Sequence, residues 1–354
     1  MSRPRIHVLG LGSIGTFTAH GLHDIPDPPA VTLLLHRQSL YDEYLRNNRH
    51  ITLTTLDGQS IPHSNYDVEV YHPTGTWHTP SPSSSSPTSF IETNTPITHL
   101  ILTVKATQTI SALRSLQPRP TSSSTILFLQ NGCGMIDDVN HHLFPDPNTR
   151  PTYITGVISH GVTLTSPFHA THTGASSISL GTVPSTTTPT TKKEYMLHAL
   201  PLSPRLTATS HPYPTLLQIQ LEKLAVNAFC NPVCALHDSK NAILFNFPDL
   251  RREILTEISN IVLRLPELRG VDGVEERFAV DRLEETVNGI LERTRETVCS
   301  MVGDVRAGRE TEVRFINGYW VRRGREVGVS VRVNEELMGR VLEGKPQRGL
   351  MLGS

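Results

Sequence analysis

The first half of the chain alternates short apolar runs with segments rich in turn-forming and polar residues. Several runs are apolar at consecutive positions, which is typical of strands buried on both faces of a sheet. Residues 16–22 and 110–116 lie between such runs and have the composition of short helices. This alternation predicts a mostly parallel β-sheet covered by helices. The predicted strands are residues 6–10, 31–36, 99–104, 125–130 and 153–160.

Beyond about residue 218 the pattern changes to that of helices rich in Glu and Arg. Residues 217–231 predict an apolar helix that ends near Asn231, because a proline disfavours helical geometry in the residue before it. The remaining helices are predicted at residues 249–265, 283–305, 312–327 and 334–344. We therefore expect an α/β domain over residues 1–215 and an all-helical domain over residues 216–354. Ligands usually bind in the cleft that two such domains create, so we expect the active site there.

Two stretches interrupt this pattern. Residues 79–89 contain only Ser, Thr and Pro, and residues 184–191 repeat that composition. Neither stretch can bury enough apolar surface to offset the entropy lost on ordering. We expect both to be mobile surface loops without a function of their own.

The composition excludes several classes of protein. The 354 residues carry 32 Lys and Arg against 33 Asp and Glu, a balance that argues against a nucleic-acid-binding surface. No apolar run approaches the roughly 18–20 residues that cross a bilayer. The four cysteines and 17 histidines show no zinc or HExxH spacing, so no metal site is expected. Few, scattered cysteines and a strand that begins at Ile6 predict a cytoplasmic protein without a targeting segment.

Residues 10–15, Gly-Leu-Gly-Ser-Ile-Gly, have the GxGxxG spacing directly after the first predicted strand and before a helix. In this context Gly10 permits a tight turn, Gly12 lets the backbone approach a pyrophosphate, and Gly15 allows close helix–strand packing. The N-terminus of the helix then presents free N–H groups to the phosphates. The segment predicts a Rossmann dinucleotide-binding domain.

The end of the second predicted strand indicates which dinucleotide binds. An NAD enzyme usually places Asp or Glu there to bind the ribose 2′-hydroxyl, but this chain has His36 and Arg37, with no carboxylate before Asp42. Arg37 can pair with a 2′-phosphate that a carboxylate would repel. We therefore predict NADP(H). The alternative is that Arg37 is an ordinary surface arginine.

Lys223, Asn227 and Asn231 recur at every fourth position of an otherwise apolar helix, and so form one polar stripe. Burial would lower the pKa of a lysine and make it a proton donor at neutral pH. The alternative is a solvent-exposed stripe. Periodicity alone leaves both open.

Six ordered blocks give the chain a resemblance to the ketopantoate reductases (2-dehydropantoate 2-reductases), NADPH enzymes of pantothenate synthesis. The resemblance covers nearly the whole length, and it implies a Rossmann domain followed by an all-helical domain. The matching blocks are GLGSIG (10–15), TVKATQT (103–109), LQNGCG (129–134), GVISHG (156–161), KLAVNAFCNPVCAL (223–236) and SMVGDVRAGRETEVRFINGYWVRRGREVGV (300–329).

The resemblance implies a role for each matched residue. Lys223 matches the lysine that protonates the ketone oxygen, and Glu312 matches a glutamate near that lysine and the nicotinamide. The residues implied to bind the substrate are Asn131, Lys223, Asn227, Asn231, Asn241 and Ser300. The residues implied to bind the cofactor are Gly10, Leu11, Gly12, Ser13, Ile14, Gly15, Arg37, Lys105, Asn131, Val162 and Glu312.

The activity that the resemblance implies is NADPH-dependent reduction of 2-dehydropantoate to (R)-pantoate in pantothenate biosynthesis. The partner is then a small 2-keto acid, and a homodimer is left open. The chain departs from the family in having Asn241-Ala242 for Asn-Gly and Cys299-Ser300 for Ser-Ser. These departures leave open a paralogue that reduces another 2-keto acid. A catalytically silent NADP-binding sensor is a further alternative, which the intact Lys223 and Glu312 disfavour.

Overall fold

A computed structural model of the chain describes residues 3–81, 90–184 and 194–344. The chain divides into two compact units, of which unit 1 comprises Met1–Gln130 and Ile136–Leu216. Unit 2 comprises Asn131–Met135 and Leu217–Ser354. The short segment Asn131–Met135 therefore groups with residues that begin only at Leu217, which sequence order does not reveal.

Unit 1 contains fourteen strands among its described residues. They are β1 (Arg5–Leu9), β2 (Ala30–Leu35), β3 (Ile51–Thr54), β4 (Ser60–His63), β5 (Asp67–Tyr71), β6 (Trp77–Pro80), β7 (Phe90–Thr93), β8 (His99–Leu102), β9 (Thr125–Phe128), β10 (Thr152–Ile158), β11 (Gly161–Ser166), β12 (His169–Gly174), β13 (Ile178–Thr182) and β14 (Ala208–Ser210). The five strands predicted from apolar runs are confirmed as β1, β2, β8, β9 and β10.

Ten of these strands form one sheet in the order β14-β13-β10-β9-β8-β1-β2-β5-β6-β7. The six central strands, from β10 to β5, are all parallel, as the strand–helix alternation predicts. Antiparallel pairing begins on both sides, at β13 and at β6. At the carboxyl end of β1, Leu9 pairs with Leu34 of β2 and Leu102 of β8. Loops that follow these three strands consequently leave the sheet at the same edge.

The prediction of a loop over residues 79–89 is partly wrong. Thr79 and Pro80 belong to β6 and pair with Ile91 and Phe90 of β7. These pairs supply the backbone hydrogen bonds that composition alone could not foresee. Most of the rest of the two predicted loops, residues 82–89 and 185–191, lies outside the described residues.

The helices are α1 (Ser13–Gly21), α2 (Gln38–Arg46), α3 (Thr109–Arg114), α4 (Met135–His142), α5 (Tyr195–Ala199), α6 (Tyr213–His237), α7 (Pro248–Val262), α8 (Val274–Arg277), α9 (Val280–Arg293), α10 (Ser300–Arg306), α11 (Val313–Glu326) and α12 (Arg332–Glu343). The structure confirms the predicted all-helical character of the second half. It also shows a second sheet in unit 1, in the order β11-β12-β3-β4, which was not predicted. Helix α1 packs against β1 and this second sheet, so that Phe17 is fully buried. The glycine turn before α1 therefore has a rigid support.

The helix predicted at residues 283–305 is two helices, α9 and α10. The residues between them have long-range partners: the Asn241 N–H donates to the Thr297 carbonyl (3.0 Å), and the Ala242 N–H donates to the Arg295 carbonyl (3.0 Å). Carbonyls that accept these bonds are turned away from a helical ladder. The amphipathic period continues through the break, which explains the incorrect prediction.

The prediction that helix α6 ends near Asn231 is wrong. The helix continues through Pro232 to His237. Pro232 has no N–H to donate to the carbonyl of Ala228, four residues earlier. That carbonyl instead accepts a hydrogen bond of 2.9 Å from Nδ2 of Asn317, which is fully buried on α11. A side chain from another helix therefore replaces the missing bond and lets α6 continue.

Asn317 belongs to a buried polar network that joins four helices of unit 2. Its Nδ2 also donates to Oδ1 of Asn334 on α12 (3.0 Å). The Asn334 N–H and Nδ2 donate to Oε1 of Glu257 on α7 (3.1 and 2.8 Å), while Oε2 of Glu257 accepts from the Val333 N–H (2.9 Å). Hydrogen bonds between buried polar groups of this kind favour one arrangement of the helices that surround α6.

We expect Asn317→Ala to lower the free energy of unfolding by about 2–4 kcal/mol, because it leaves the buried Ala228 carbonyl without a partner. Pro232→Ala restores an N–H for that carbonyl. The loss of unfolding free energy caused by Asn317→Ala should therefore be smaller in the Pro232→Ala background than in the parent, by about 1 kcal/mol or more. Denaturant unfolding of the parent, both single variants and the double variant measures this difference. Strictly additive losses would contradict the proposed replacement of one bond by the other.

Candidate active site

The glycine turn in unit 1 has the geometry that its spacing predicts. Gly10 has a φ of +103°, and a Cβ added there would lie 2.5 Å from the backbone nitrogen of Val104. A Cβ at Gly15 would collide with the carbonyl oxygen of Gly10. At Gly12, by contrast, an added Cβ would meet no atom within 4 Å. Gly10 and Gly15 are thus needed for the fold of the turn, whereas the space beside Gly12 is open to a ligand.

Helix α1 begins directly after this turn, at Ser13, and has no acidic residue in its first turn. The N–H of Thr16 bonds to the Gly12 carbonyl (2.9 Å), and the N–H groups before it lie at the helix N-terminus, where they have no carbonyl of the helix to bond. Such groups, together with the helix dipole, favour a phosphate. The turn and the helix start therefore fit a dinucleotide pyrophosphate.

Thr103, which follows β8, was not among the predicted site residues. Its hydroxyl donates to the carbonyls of Gly10 (2.6 Å) and Leu9 (3.1 Å), and so holds the turn to the neighbouring strand. Gln130 similarly donates from Nε2 to the Val104 carbonyl (2.7 Å) and to Oγ1 of Thr109 (2.9 Å). Only the presence of Thr103 in the TVKATQT block could have indicated its role.

The other predicted cofactor residues of unit 1 differ in their surroundings. Leu11, Ile14 and Val162 are half-buried and pack against the apolar core, so they shape the turn and its support. Ser13 accepts a hydrogen bond from the Leu164 N–H (3.2 Å) through its hydroxyl oxygen. Arg37 is exposed, with a guanidinium nitrogen 3.0 Å from Nε2 of His36.

Arg37 and Lys105 are the two cations predicted at this site. Arg37 follows β2, and Lys105 follows β8 by three residues and is half-buried. Both therefore lie beyond the carboxyl ends of strands that flank β1. This sheet edge is where ligands of open parallel sheets bind.

In unit 2, Lys223 lies on α6, and its Nζ donates a hydrogen bond of 3.0 Å to Oδ1 of Asn131. The segment that carries Asn131 is held against α11, because the Cys133 N–H donates to the Phe315 carbonyl (2.8 Å). Gly132 permits this contact, since an added Cβ would lie 2.8 Å from Cβ of Phe315 and φ is +89°. The two predicted residues, 92 positions apart, are thus brought together.

Burial lowers the pKa of Lys223 to about 8, while the charges of Glu312 and Cys133 act in the opposite direction. Glu312 is 5% exposed and directly precedes α11. The Lys223 amine is therefore ready to give up its proton near neutral pH, unlike an ordinary lysine. Cys133 is a component that sequence reasoning missed, although it lies inside the LQNGCG block.

The polar stripe on α6 is not a solvated face. Lys223 and Asn227 are half-buried, and Asn231 is 8% exposed. The structure thus favours the buried alternative that the periodicity left open. Arg322 adds to the support of the site, because it lies so close to Gly134 that any Cβ there would overlap its guanidinium.

Two further predicted substrate residues lie at the other end of α6. Asn241 is buried, donates from Nδ2 to Oγ1 of Thr294 (2.9 Å), and accepts at Oδ1 from the Cys234 thiol (3.5 Å). Ser300 is exposed at the first position of α10. Asn241 therefore has much of its hydrogen-bonding capacity in use, whereas the Ser300 hydroxyl can reach a ligand from the surface.

Within residues 3–81, 90–184 and 194–344, no three His, Cys, Asp or Glu side chains lie close enough together to hold a metal ion. In the same part of the chain, none of the helices has the length and apolar character needed to cross a membrane.

Two family models match the chain: ketopantoate reductase PanE/ApbA over residues 6–185, and its C-terminal domain over residues 215–343. A probable 2-dehydropantoate 2-reductase of Schizosaccharomyces pombe is 31% identical to it over 94% of both chains. The chain belongs to the ketopantoate reductase family. The resemblance inferred from the six blocks is thereby confirmed.

Members of the ketopantoate reductase family also match in structure. The crystal structure of a PanE/ApbA family ketopantoate reductase from Ralstonia eutropha covers 96% of this chain and 98% of its own, with a TM-score of 0.70 at 18% identity. That match supports the fold. A relative with a different name, ketoisovalerate reductase of Beauveria bassiana, is 24% identical over 93% of this chain and 80% of its own.

The Lys223 amine should react with an amine reagent such as trinitrobenzenesulfonate with a midpoint near pH 8, because only the neutral amine is nucleophilic. In Glu312→Gln the midpoint should move to lower pH, since the compensating negative charge is lost. Peptide mass spectrometry after labelling at several pH values measures both midpoints. A midpoint near pH 10, or one that Glu312→Gln leaves in place, would contradict the electrostatic description.

Proposed function

We propose that the protein is an NADPH-dependent oxidoreductase that reduces 2-dehydropantoate to (R)-pantoate in pantothenate biosynthesis. The observation that carries the proposal is the desolvated Lys223 amine, whose pKa is about 8 and whose Nζ is held by Asn131. A proton donor of this kind is what reduction of a ketone requires, because negative charge develops on the carbonyl oxygen. Membership of the ketopantoate reductase family supports the choice of substrate.

The cofactor would bind to unit 1 by the residues around the glycine turn. The backbone N–H groups at the start of α1 suit the pyrophosphate, and the open space beside Gly12 permits its close approach. Arg37 is an exposed guanidinium that can form bidentate hydrogen bonds with a 2′-phosphate. When bound, NADPH supplies the hydride for C2 of the keto acid.

The residues of unit 2 would manage the proton and the substrate. Lys223 donates its proton to the carbonyl oxygen as the charge builds, and Asn131 fixes the direction of its Nζ. Burial reduces the protonated fraction of the Lys223 amine, and the negative charge of Glu312 raises that fraction again. The neutral side chains of Asn227, Asn231 and Ser300 can bind carboxylate and hydroxyl oxygens without like-charge repulsion.

A reductase of another 2-keto acid is the second candidate. The match to a ketoisovalerate reductase favours it, as does Cys299, which replaces a serine of the family next to Ser300. Both candidates share the same chemistry and differ in the pocket that accepts the substrate. Comparing kcat/KM for 2-dehydropantoate and 2-ketoisovalerate distinguishes them. A cytoplasmic location and a homodimer stay predictions.

Lys223→Ala should lower kcat about 10²–10⁴-fold, the usual contribution of a general acid, while the Kd for NADPH stays within about two-fold. Glu312→Ala should also lower kcat, since it acts through the protonation of Lys223. The double variant should be less impaired than the product of the two losses, because the pair acts as a unit. NADPH oxidation followed by absorbance, with cofactor binding as the control for folding, tests all three variants. Near-parental turnover of Lys223→Ala would refute the assignment.

Arg37→Ala should weaken NADPH binding at least about ten-fold, equivalent to about 1.4 kcal/mol, and leave NADH binding nearly unchanged. Arg46→Ala is the matched control, because Arg46 is another exposed arginine at the far end of α2. Fluorescence titration of both cofactors with the three proteins supplies the affinities. If Arg37→Ala and Arg46→Ala behaved alike, the 2′-phosphate contact would have to be assigned elsewhere.

A further inference from the structure

Three of the four cysteines gather at one end of α6. Cys230 and Cys234 lie one turn apart on that helix and are 6% and 0% exposed. Cys299, which directly precedes α10, is partly exposed. All three are reduced thiols. The general acid mechanism assigns them no role, so their arrangement calls for a separate explanation.

The thiols of Cys234 and Cys299 are hydrogen-bonded to each other. Each also contacts a predicted substrate residue: the Cys234 thiol lies 3.5 Å from Oδ1 of Asn241, and the Cys299 thiol lies 3.8 Å from the carbonyl oxygen of Asn231. The Cys234 proton can therefore point to Asn241 or to the sulfur of Cys299. The pair is therefore in contact with two of the residues expected to bind the keto acid.

The two thiols differ in acidity. The hydrogen bond from Cys234 lowers the pKa of Cys299 to about 7, and the backbone N–H groups of Val302 and Met301 act in the same direction against burial. The pKa of Cys234 is raised by its hydrogen bond to Cys299 and by burial. About half of Cys299 is thus thiolate at pH 7, and it is the more accessible of the two, while Cys234 stays a protonated, enclosed thiol.

We propose that Cys299 and Cys234 are a reversible oxidation site, at which a peroxide converts the hydrogen-bonded pair into a disulfide. Cys299 is the attacking sulfur and Cys234 the resolving one. The effect on substrate binding, argued below, rests on the function proposed above.

The chemistry balances with one peroxide per pair. The Cys299 thiolate attacks the O–O bond of hydrogen peroxide, so that an S–O bond forms, hydroxide leaves and a sulfenic acid results. The sulfur of Cys234 then attacks that sulfur, an S–S bond forms, and the sulfenic oxygen leaves as water. The Cys234 proton passes to that leaving oxygen, and the hydroxide from the first step takes up the proton that Cys299 released to solvent when it ionised. The two sulfurs lose two electrons, and the peroxide is reduced to two waters. A dithiol reductant reverses the reaction by thiol–disulfide exchange.

The disulfide would change the substrate side of the site. Its sulfurs must approach to about 2.05 Å, which moves Cys299 toward α6 and with it the adjoining Ser300. It also removes the Cys234 proton, and with it the hydrogen bond to Oδ1 of Asn241, and it ends the hydrogen bond that the protonated form of Cys299 makes to the Asn231 carbonyl. We expect oxidation to raise KM for the keto acid several-fold and to leave NADPH binding by unit 1 unchanged.

The chemical arm of the test treats the purified full-length protein with hydrogen peroxide and maps the cysteines by alkylation and peptide mass spectrometry. Three variants accompany the parent: Cys234→Ala, Cys299→Ser, and Cys230→Ala as the control that removes a neighbouring thiol. The parent and Cys230→Ala should both yield the Cys234–Cys299 peptide pair, and dithiothreitol should release it. Cys234→Ala should stop at a sulfenic acid on Cys299, and Cys299→Ser should react at least about ten-fold more slowly.

The rate in the parent should rise with pH through about 7, as the Cys299 thiolate forms. Four alkylatable thiols after treatment, or a disulfide that includes Cys230, would overturn the assignment of the pair. So would equal peroxide reactivity of the parent and Cys299→Ser. These results need no substrate, so they stand whatever the protein reduces.

The kinetic arm compares KM for 2-dehydropantoate in the reduced, oxidised and re-reduced parent, with NADPH binding measured alongside. A several-fold rise in KM that dithiothreitol reverses supports the proposal. An unchanged KM in protein that carries the mapped disulfide would overturn the effect on the substrate side. If the reduced protein does not turn over 2-dehydropantoate at all, the proposed function fails, whereas the mapped disulfide still decides the oxidation site.

Discussion

The burial of one cation, Lys223, governs the rest of unit 2. Desolvation of an ammonium group is costly, and it brings the pKa of Lys223 down to about 8. The cost is limited by a hydrogen bond to Asn131 and by the negative charge of Glu312. Removing Glu312 would lower the pKa of Lys223 further, and removing Asn131 would take away a hydrogen-bond acceptor of its Nζ. The Asn131–Met135 segment and the start of α11, which supply these two partners, are joined by the backbone hydrogen bond from Cys133 to Phe315.

Helix α6 continues through Pro232, directly after Asn231, the last residue of its polar stripe. The buried Asn317 makes this possible by donating to the carbonyl that the proline leaves unpaired, and Asn334 and Glu257 hold Asn317 in turn. Stability and chemistry are therefore linked in this unit. A polar network without any direct role in proton transfer fixes the helix on which proton transfer would depend.

The predictable parts of the molecule are those encoded by local sequence. Apolar runs identified five of the six central parallel strands, all but β5, and the spacing of Gly10, Gly12 and Gly15 identified the turn that follows β1. The second sheet was missed because strands such as β12, His-Ala-Thr-His-Thr-Gly, carry no apolar run. The break between α9 and α10 was missed because its cause is a pair of hydrogen bonds from Asn241 and Ala242, which lie far away in the sequence.

The same division applies to the site. The period of the sequence reveals the stripe that contains Lys223. It does not reveal whether that stripe is buried or exposed to solvent. The contact between Lys223 and Asn131 joins residues 92 positions apart, and the proximity of Cys133 depends on the same turn. The hydrogen bond between Cys234 and Cys299 is likewise a product of the tertiary fold, since it joins residues far apart in the sequence.

The most direct test of the account is the pH dependence of kcat/KM for NADPH-dependent reduction of 2-dehydropantoate, in the parent and in Lys223→Arg. If Lys223 supplies the proton, the parent should lose activity about ten-fold per pH unit above pH 8, because the neutral amine has no proton to give. Lys223→Arg should be slower but should lack this decline, since a guanidinium stays charged throughout. A decline with the same midpoint in both proteins would contradict the central role assigned to Lys223.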